Sequence, residues 1–376
     1  MNRSLRINWV FPRPNLSGGV KSNRLLAEAM VRRGHEVTLI HPTRKERQRY
    51  ALGYRLRRMG EQMLRGVTGS NQSSRHHLER STAAIRVIDG DIVTEADVPD
   101  ADVTIATWWR TREWIEPWSA AKGVKAYCIR HYEVHGGDAE RVKATYRLPG
   151  PKFVIARWLQ RLMAEEFGDP HAVLVPNGVD RSQFHAPERT KGRVPTVGML
   201  YGRQAWKGAV TAFEAIRILQ RRDPSIRVSS FGRESVARHH RPPANYELHR
   251  RPSQREIPRL YAMADCWVVP SVSEGFGMPG IEAAACRCPL VVTRCGGPED
   301  FVEEGWNGHL VPVEDPEAMA EAIGRILALS DQAWRDMSQA SYEMSLRFDW
   351  DRSAEILETA LLRQVGHLAD GMKDHA

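Results

Sequence analysis

The chain has 376 residues, which is long for one domain and sufficient for two domains of ordinary size. Its composition, 42% hydrophobic and 27% charged, is ordinary for a globular enzyme, and five unpatterned cysteines argue against a disulfide framework. A formal net charge of +8 favours anionic partners, although no nucleic-acid recognition motif accompanies it.

The first half of the chain predicts a parallel sheet. A short apolar strand at residues 6–11 is followed by a loop ending in Gly18 and Gly19, a helix over residues 20–33 and a second strand over residues 36–40. This is a βαβ unit, which implies a right-handed crossover between parallel strands. Further strands are predicted at residues 84–88, 103–107, 124–129, 153–156 and 172–175.

A basic segment, residues 44–80, interrupts this alternation. Arg55, Arg57 and Arg58 lie among leucines and methionines at spacings typical of an amphipathic helix with a basic face. We expect either a helix that rests on an anionic membrane surface or an insertion whose apolar face packs on the N-terminal domain.

The second half begins after a turn at residues 176–180, where we predict the domain boundary. The predicted domains are residues 1–178, joined by a C-terminal helix at about 350–376, and residues 179–349. Two α/β series of similar size indicate two doubly wound domains, whose ligands bind beyond the carboxyl ends of the strands. Strands are predicted at residues 196–200, 227–231, 246–248, 266–269 and 290–293, and helices at residues 209–221 and 350–365.

The stretch at residues 270–283 carries the most informative chemistry. It follows a strand, contains several glycines and is expected to open a helix near Gly280, with Glu282 in the first turn. Glycines let the backbone approach a ligand, and the free N–H groups of a helix start suit a phosphate. Glu274 and Glu282 are better suited to accept hydrogen bonds from sugar hydroxyls.

This stretch resembles the E-x7-E signature of the retaining glycosyltransferases of family 4, which have the GT-B fold. The resemblance is strong over roughly residues 175–315 and weaker before them. It implies two Rossmann-like domains that face a central cleft, with a C-terminal helix that crosses back to the first domain. Further landmarks of the resemblance stand at residues 18–19, 175–180, 256–271, 295–299 and 305–311.

The resemblance assigns roles to matching positions. Arg203 and Lys207 would hold the donor diphosphate, and fixed cations there would stabilise the charge that builds on the leaving group. Glu282 would bind the donor ribose, and Glu274 would contact the transferred sugar. The other donor-binding positions implied are Gly18, Gly19, Gly202, Gly275, Phe276 and Gly277.

His131 follows a predicted strand, where many family members carry a histidine near the reacting carbon. The resemblance therefore implies a catalytic role for His131, with a packed or loop histidine as the alternative. Tyr132 and Glu133 follow it in place of the more common aspartate, which makes the acceptor side less certain. Arg287 stands where relatives often have glycine, a difference that we expect to be local.

We expect no metal and no cofactor. Asp89 and Asp91 have the D-x-D spacing but lie in a predicted turn, and the cations Arg203 and Lys207 make a metal unnecessary. Cys286 and Cys288 form a C-x-C pair, yet no second cluster supplies the remaining ligands of a structural zinc site.

Together these features predict a retaining glycosyltransferase that moves a sugar from a nucleotide-diphosphate-sugar to a glycan or lipid-linked acceptor. Two alternatives stay open: a nucleotide-sugar epimerase and a non-catalytic sugar-binding scaffold of the same fold. No run of ~20 apolar residues is present, and no signal peptide is visible at the N-terminus. We expect a cytoplasmic location, with residues 44–80 as a candidate contact to the inner face of the membrane.

Overall fold

The computed structural model describes residues 3–46 and 76–373. The predicted amphipathic helix falls largely on residues 47–75 and so lies outside the described residues. The chain divides into two compact units. Unit 1 comprises Met1–Cys128, Glu133–Pro151 and Glu358–Ala376, and unit 2 comprises Ile129–Tyr132 and Lys152–Leu357. The predicted domain boundary at residue 178 stays a prediction.

Unit 1 is built on parallel strands in the order β3-β2-β1-β4-β5. Its inner strands are buried on both faces, as expected for a sheet covered by helices on each side. The strands are β1 (Arg6–Val10), β2 (Glu36–Pro42), β3 (Ala84–Ile88), β4 (Val103–Ala106) and β5 (Val124–Ile129), and the helices are α1 (Gly18–Arg32), α2 (Trp109–Ile115) and α3 (Ala139–Arg147).

Helix α1 begins two residues earlier than its apolar periodicity predicts. Ser17 has extended backbone angles, and its side-chain oxygen accepts a hydrogen bond from the N–H of Val20. This is the geometry of an N-cap, which satisfies one of the free N–H groups of the first turn. Gly18 and Gly19 are therefore the first two residues of the helix and not part of the preceding loop.

Unit 2 contains a six-stranded parallel sheet in the order β10-β9-β8-β11-β12-β13. It also contains the parallel pair β6 and β7. The strands are β6 (Lys152–Val154), β7 (Val173–Leu174), β8 (Thr196–Leu200), β9 (Arg227–Gly232), β10 (Tyr246–Arg250), β11 (Cys266–Val269), β12 (Leu290–Thr293) and β13 (Gly308–Val311). The helices are α4 (Arg157–Phe167), α5 (Ala209–Gln220), α6 (Ile257–Ala262), α7 (Met278–Ala285), α8 (Pro316–Leu327) and α9 (Asp331–Leu346), and α10 (Trp350–Lys373) contributes residues to both units.

The core of unit 2 packs α5 and α8 against one face of its sheet. Val197 and Met199 are two residues apart on β8, so their side chains point to the same face. Phe213 and Ile216 lie three residues apart on α5 and meet Ile323 of α8, and all five side chains are fully buried. This apolar layer fixes β8 and α5, and with them the loop that joins the two.

In each unit the strand order reverses direction once, between β1 and β4 in unit 1 and between β8 and β11 in unit 2. The loops that follow these strands lie at the carboxyl edge of the sheet and leave in opposite directions. Such a switch point opens a crevice in which doubly wound proteins bind ligands. In unit 1 the two strand ends are joined directly, since Thr107 Oγ1 donates to Val10 O at 2.9 Å.

Arg287 adopts a left-handed backbone conformation with φ of 62°, a conformation that favours glycine. Its side chain contacts three residues that are distant in sequence. Nε donates to Ala186 O at 3.1 Å, a second nitrogen donates to Gln339, and the guanidinium lies 4.4 Å from the centre of the Tyr342 ring. These contacts offset the backbone strain of a non-glycine residue.

A buried ionic cluster fixes the C-terminal part of α10 within unit 1. The Glu358 side chain is only 3% exposed, and its carboxylate accepts hydrogen bonds from Arg33 Nε at 2.7 Å and from His35 Nε2 at 3.1 Å. The proton of the His35 ring lies on Nε2 because Nδ1 accepts from the N–H of Leu5. Each polar group of the cluster is thereby satisfied.

We predict that Glu358→Ala lowers the free energy of unfolding by about 3 kcal/mol, because it leaves Arg33 and His35 without their buried partner. Urea unfolding at neutral pH measures this change. Glu355→Ala, on the exposed face of the same helix, is the matched control and should change the free energy by less than about 0.5 kcal/mol. Equal effects of the two substitutions would contradict a stabilising role of the cluster.

Candidate active site

Two loops meet at the switch point of unit 2. One follows β8 and contains Lys207, and the other follows β11 and contains Glu274. Lys207 Nζ donates to Glu274 Oε1 at 2.5 Å, and Ser271 Oγ donates to the same oxygen at 2.7 Å. Both charged side chains are less than one-fifth exposed, so water weakens their attraction less than at an open surface. The structure thus places a cation and a carboxylate together at the ligand-binding edge of the sheet.

The backbone brings these loops together at Gly208. This residue has φ of 66°, and a Cβ atom on it would lie 1.8 Å from Pro270 O, a distance that no side chain tolerates. Only glycine therefore allows α5 to begin so close to the end of β11. The N–H of Val272 donates to Trp206 O at 2.8 Å and ties the two loops together a second time.

The Glu274 segment is held by backbone contacts on both sides. Its N–H donates to Cys295 O at 2.9 Å, and its carbonyl accepts from the N–H of Gly297 at 3.1 Å. A Cβ on Gly275 would lie 2.0 Å from Arg130 O, and Gly277 has φ of 84°. Phe276 is buried between these two glycines. The glycines predicted as donor-binding residues are thus also required by the local packing.

Glu282 lies two residues further into its helix than predicted. Helix α7 begins at Met278, because Gly277 is its left-handed N-cap and Pro279 occupies an early position that favours a helix start. Glu282 is consequently the fifth residue of α7, and the expectation of a first-turn position was wrong. Its side chain is 8% exposed and accepts a hydrogen bond from Tyr261 Oη at 3.0 Å. Burial raises the pKa of Tyr261 well above its usual range.

Arg203 does not contact the Lys207–Glu274 pair. Its guanidinium donates to the carbonyl oxygen of Ser235 at 2.8 Å and to the hydroxyl oxygen of Ser235 at 2.6 Å. Gly202 precedes it, and a Cβ there would lie 3.0 Å from Lys207 Cγ. The two predicted phosphate-binding cations therefore share one loop, and they have separate partners in this structure.

His131 lies beside the Glu274 loop. Its Nε2 is 3.4 Å from Ser273 Oγ, and its Nδ1 is 3.0 Å from Tyr132 O. The ring also packs edge-on against Trp158, whose Nε1 donates to Gly275 O at 3.0 Å. Residues 129–132 belong to unit 2, so the structure brings this histidine together with the glycine loop of the same unit.

The family model for glycosyl transferases group 1 matches residues 192–329, the segment that carries the two loops. D-inositol 3-phosphate glycosyltransferases from Corynebacterium urealyticum and Saccharomonospora viridis are 37% and 36% identical to this chain over 102 and 103 residues. Each match covers 27% of this chain and 24% of the relative, so about a quarter of the relatives' length is matched.

Solved structures match along the whole chain. Sucrose-phosphate synthase from Thermosynechococcus elongatus is 18% identical with a TM-score of 0.65, and the match covers 100% of both chains. The Anabaena protein Alr3699/HepE, solved with UDP and glucose, is 15% identical with a TM-score of 0.68, and the match covers 98% of this chain and 100% of that chain. These likenesses confirm the predicted fold class, an α/β protein of the GT-B type with two parallel sheets.

Gly18 and Gly19 lie outside this group 1 segment, at the start of α1 in unit 1. A Cβ on Gly18 would meet no heavy atom within 4 Å, and one on Gly19 would lie 4.0 Å from Ser17 Oγ. A Cβ atom at either position would therefore cause no steric clash. The predicted role of these glycines in donor binding stays a prediction.

The cysteine pair of the group 1 segment is buried. Cys286 and Cys288 are fully buried, and burial raises the pKa of each thiol, to about 12 for Cys288. Within residues 3–46 and 76–373, no group of three or more His, Cys, Asp or Glu side chains has the arrangement of a metal site. The same part of the chain contains no helix that is both long enough and apolar enough to cross a membrane.

Sequence reasoning missed several side chains that hold the site together. Ser271 is the last residue of the landmark at residues 256–271, but the sequence alone assigns no role to its side chain. Tyr261 and Ser235 lie 21 and 32 residues from Glu282 and Arg203, their respective partners. No local pattern connects residues so far apart, and only the fold brings them together.

Unit 1 contains a buried carboxyl group directly after the His131 segment. Glu133 Oε2 accepts from Tyr127 Oη at 2.8 Å and from the backbone N–H of Trp109 at 2.8 Å, and the Glu133 N–H donates to Tyr146 Oη at 2.9 Å. Burial raises the pKa of Glu133 to about 8, although the two hydrogen bonds oppose this shift. The side chain is thus mostly the neutral acid at neutral pH.

We predict that the stability difference between wild type and Glu133→Gln depends on pH. The carboxyl pKa is about 8 in the folded protein against an ordinary 4.5. The stabilising contribution is therefore complete below about pH 4.5 and is lost as the pH rises through about 8. Wild type should lose a few kcal/mol relative to the glutamine variant across this range.

Urea unfolding of both proteins between about pH 5 and pH 8 measures this difference. His77, whose pKa is lowered to about 4 by burial and by Lys21, titrates in both proteins and cancels. Parallel stability curves for the two proteins would show that Glu133 is ionised in the fold.

Proposed function

We propose that the chain is a glycosyltransferase that moves a sugar from a nucleotide-diphosphate-sugar to an acceptor hydroxyl and retains the anomeric configuration. The observation that carries this proposal is the Lys207–Glu274 contact at the switch point of a group 1 glycosyltransferase segment. A cation suits the diphosphate and a carboxylate suits sugar hydroxyls, so the pair has the chemistry to hold both parts of such a donor.

Negative charge builds on the diphosphate as its bond to the sugar breaks. Lys207 and the N-terminus of the eight-residue helix α7 would stabilise that charge. Arg203 would join them by exchanging its contacts with Ser235 for the phosphates. Three positive groups of this kind supply the electrostatic stabilisation without a metal, which is the basis of the metal-independent mechanism that we propose.

Glu274 would receive hydroxyls of the transferred sugar, and Glu282 would receive those of the donor ribose. Lys207 and Ser271 fix one Glu274 oxygen before the donor arrives, which reduces the entropy lost on binding. His131 would lie near the reacting carbon, since its ring stands beside Ser273, the neighbour of Glu274. The donor phosphate would help to deprotonate the acceptor hydroxyl, which attacks the face that the leaving group occupies.

The acceptor that we propose is a glycan or a lipid-linked glycan used in the synthesis of cell-surface polysaccharide. UDP-sugars are the first donors to test, because similar folds were solved with UDP and UDP-glucose. The possible contact of residues 44–80 with the inner face of the cell membrane belongs to the same proposal, as does a cytoplasmic location.

The products that form distinguish a transferase from two other functions. An epimerase would convert the nucleotide sugar without releasing the nucleotide, and a sugar-binding scaffold would leave the nucleotide sugar unchanged. Release of UDP, GDP, dTDP or ADP from the matching nucleotide sugar supports a transferase. Thermal stabilisation by the same four nucleotides identifies the base that binds best, because a ligand that binds the folded state raises its stability.

We predict that Lys207→Ala and Arg203→Ala each lower the rate of nucleotide release at least ~10²-fold, by analogy with the loss of one transition-state donor. The measurement is turnover of the best nucleotide sugar at saturating concentration. Arg222→Ala, which removes an exposed cation after α5, is the matched control and should keep full turnover. Wild-type rates in either site variant would remove that residue from the mechanism.

Chelation tests the metal-independent part of the same mechanism. We expect EDTA to leave wild-type turnover largely intact, because the proposed cations on the diphosphate are side chains and a helix terminus. Loss of activity in EDTA followed by recovery with magnesium or manganese would show that a divalent ion takes part.

A separate prediction concerns Glu282. Glu282→Ala should weaken binding of the nucleotide by ~1.5–3 kcal/mol, the cost of a lost charge-assisted hydrogen bond. Isothermal titration calorimetry measures this affinity. Tyr261→Phe removes the hydroxyl that donates to Glu282 and keeps the carboxylate, so it should retain most of the affinity. If both variants lose affinity equally, or Glu282→Ala loses none, Glu282 serves the packing of α7 and not the ribose.

A further inference from the structure

Strand β10 forms one edge of the six-stranded sheet of unit 2, so it pairs with a single neighbour, β9. Just before the strand, Asn245 O accepts from the N–H of Val228 at 3.0 Å. Just after it, the N–H of Arg251 donates to Gly232 O at 2.8 Å. The backbone groups of successive residues point to alternate sides of a strand. The odd-numbered residues from 245 to 251 therefore face β9, and the even-numbered ones face away from the sheet.

The outer side of β10 presents a row of backbone groups that the described residues leave unpaired. The N–H and C=O groups of this row belong to Tyr246, Leu248 and Arg250. No proline stands within the strand, and its register with β9 runs without a bulge along its whole length. Such an edge is a template for another strand, because an added strand satisfies the whole row at once.

The apolar layer on one face of the sheet also ends at this edge. Tyr246 and Leu248 are two residues apart, so their side chains lie on the same face, where both pack against the core of unit 2. Tyr246 packs edge-on against Phe213, with ring centres 5.1 Å apart. Both side chains are only half-buried, and a strand added beside β10 would cover part of the exposed remainder. Apolar burial and backbone pairing thus favour the same addition.

The sequence of β10 is complementary to a second copy of itself. In an antiparallel pair with the two Leu248 residues opposite each other, Glu247 lies opposite the second copy's His249. Tyr246 then lies opposite the second copy's Arg250. Carboxylate–imidazole and aromatic–guanidinium pairs are favourable across strands. Shifting the two-fold axis by one residue is worse. A pair centred on Glu247 opposes two carboxylates, and a pair centred on His249 places Leu248 opposite Arg250.

The two polar side chains of this pairing lie where a second copy can reach them. Glu247 Oε1 is 3.6 Å from His249 Nε2 of the same chain, and the Glu247 side chain is 73% exposed. In the antiparallel pair, residues 247 and 249 occupy non-hydrogen-bonded positions, where facing side chains come closest. Two copies would therefore arrange two carboxylates and two imidazoles in an alternating square, in which each carboxylate has an imidazole on two sides.

We propose that two copies of this chain dimerise through antiparallel pairing of their β10 strands about a two-fold axis at Leu248. The interface is self-complementary, as a two-fold axis requires, and it joins the two sheets into one continuous sheet. Each of the three outward residues exchanges two backbone hydrogen bonds with the residue opposite. The dimer is independent of the proposed sugar transfer, because it uses the lateral edge of the sheet and not the loops that carry Lys207 and Glu274.

Sedimentation velocity of the full chain over about 1–300 µM tests for this dimer. Residues 217–259 carry eleven arginines and four acidic residues, so the measurement is made in about 0.3 M salt, which screens the repulsion between two copies. We expect a reversible monomer–dimer equilibrium in this range. A chain that stays monomeric up to about 300 µM would overturn the proposal.

Leu248→Lys locates the interface, because it places two lysines opposite each other at the two-fold axis. We expect a dissociation constant at least about tenfold higher than that of wild type. Leu346→Lys is the matched control, since Leu346 is an exposed leucine of unit 2, and it should keep wild-type self-association. A dimer that tolerates Leu248→Lys uses another surface, and that result would also overturn the proposal.

A pair of charge changes tests the register without altering the half-buried leucine. Glu247→Lys places a lysine opposite His249, and His249→Glu places two carboxylates opposite each other, so each variant alone should associate more weakly than wild type. In an equimolar mixture, both positions of the mixed dimer face a residue of opposite charge. The mixed dimer should therefore form at least about threefold more tightly than the dimer of either variant.

The Glu247–His249 contact within one chain cannot produce this rescue, since each chain of the mixture carries only one change. Far-UV circular dichroism of each variant verifies that the fold is kept. If the mixture associates no better than the separate variants, β10 does not pair with a second β10 in the antiparallel register about Leu248.

Discussion

The close approach of two loops at the end of β8 and β11 is the constraint on which the candidate site depends. Gly208 lies so near Pro270 that a Cβ would stand 1.8 Å from the carbonyl oxygen. The bond between Val272 and Trp206 fixes the same approach from the backbone. With the main chain held in this way, Lys207 reaches Glu274 directly. The charges are therefore placed by backbone packing, and their attraction adds to a geometry that already exists.

Much of this arrangement was predictable from sequence because local physics determines it. Strands β11 and β12 were predicted with the bounds that the structure has, since each is a short apolar run with a polar residue or proline at its ends. The glycines and carboxylates around residue 274 were also found, because they lie within one short segment. The predicted starts of helices α1 and α7 were less accurate, because capping by Ser17 and Gly277 begins each helix about two residues earlier than predicted.

The remaining features of the fold and of the site could not be predicted, because they depend on contacts between residues that are distant in sequence. Helix α2 has only seven residues and contains two tryptophans and two arginines, so it shows no amphipathic period. Arg203 has the sequence pattern of a phosphate ligand, yet its partner in the fold is Ser235. The indole N–H of Trp109, which has no hydrogen-bond partner among the described residues, is likewise a property of packing, and no motif encodes it.

The two switch points have the same topology and different chemistry. In unit 2 the loops present Lys207, Glu274 and a helix N-terminus, which suits a ligand that carries charge. In unit 1 the cations near Trp109 are paired, and burial raises the pKa of Glu133 to about 8, so that group is mostly uncharged at neutral pH. A charged diphosphate would leave water at a high cost to enter this second environment. The two switch points therefore differ in the charge of the groups that they present.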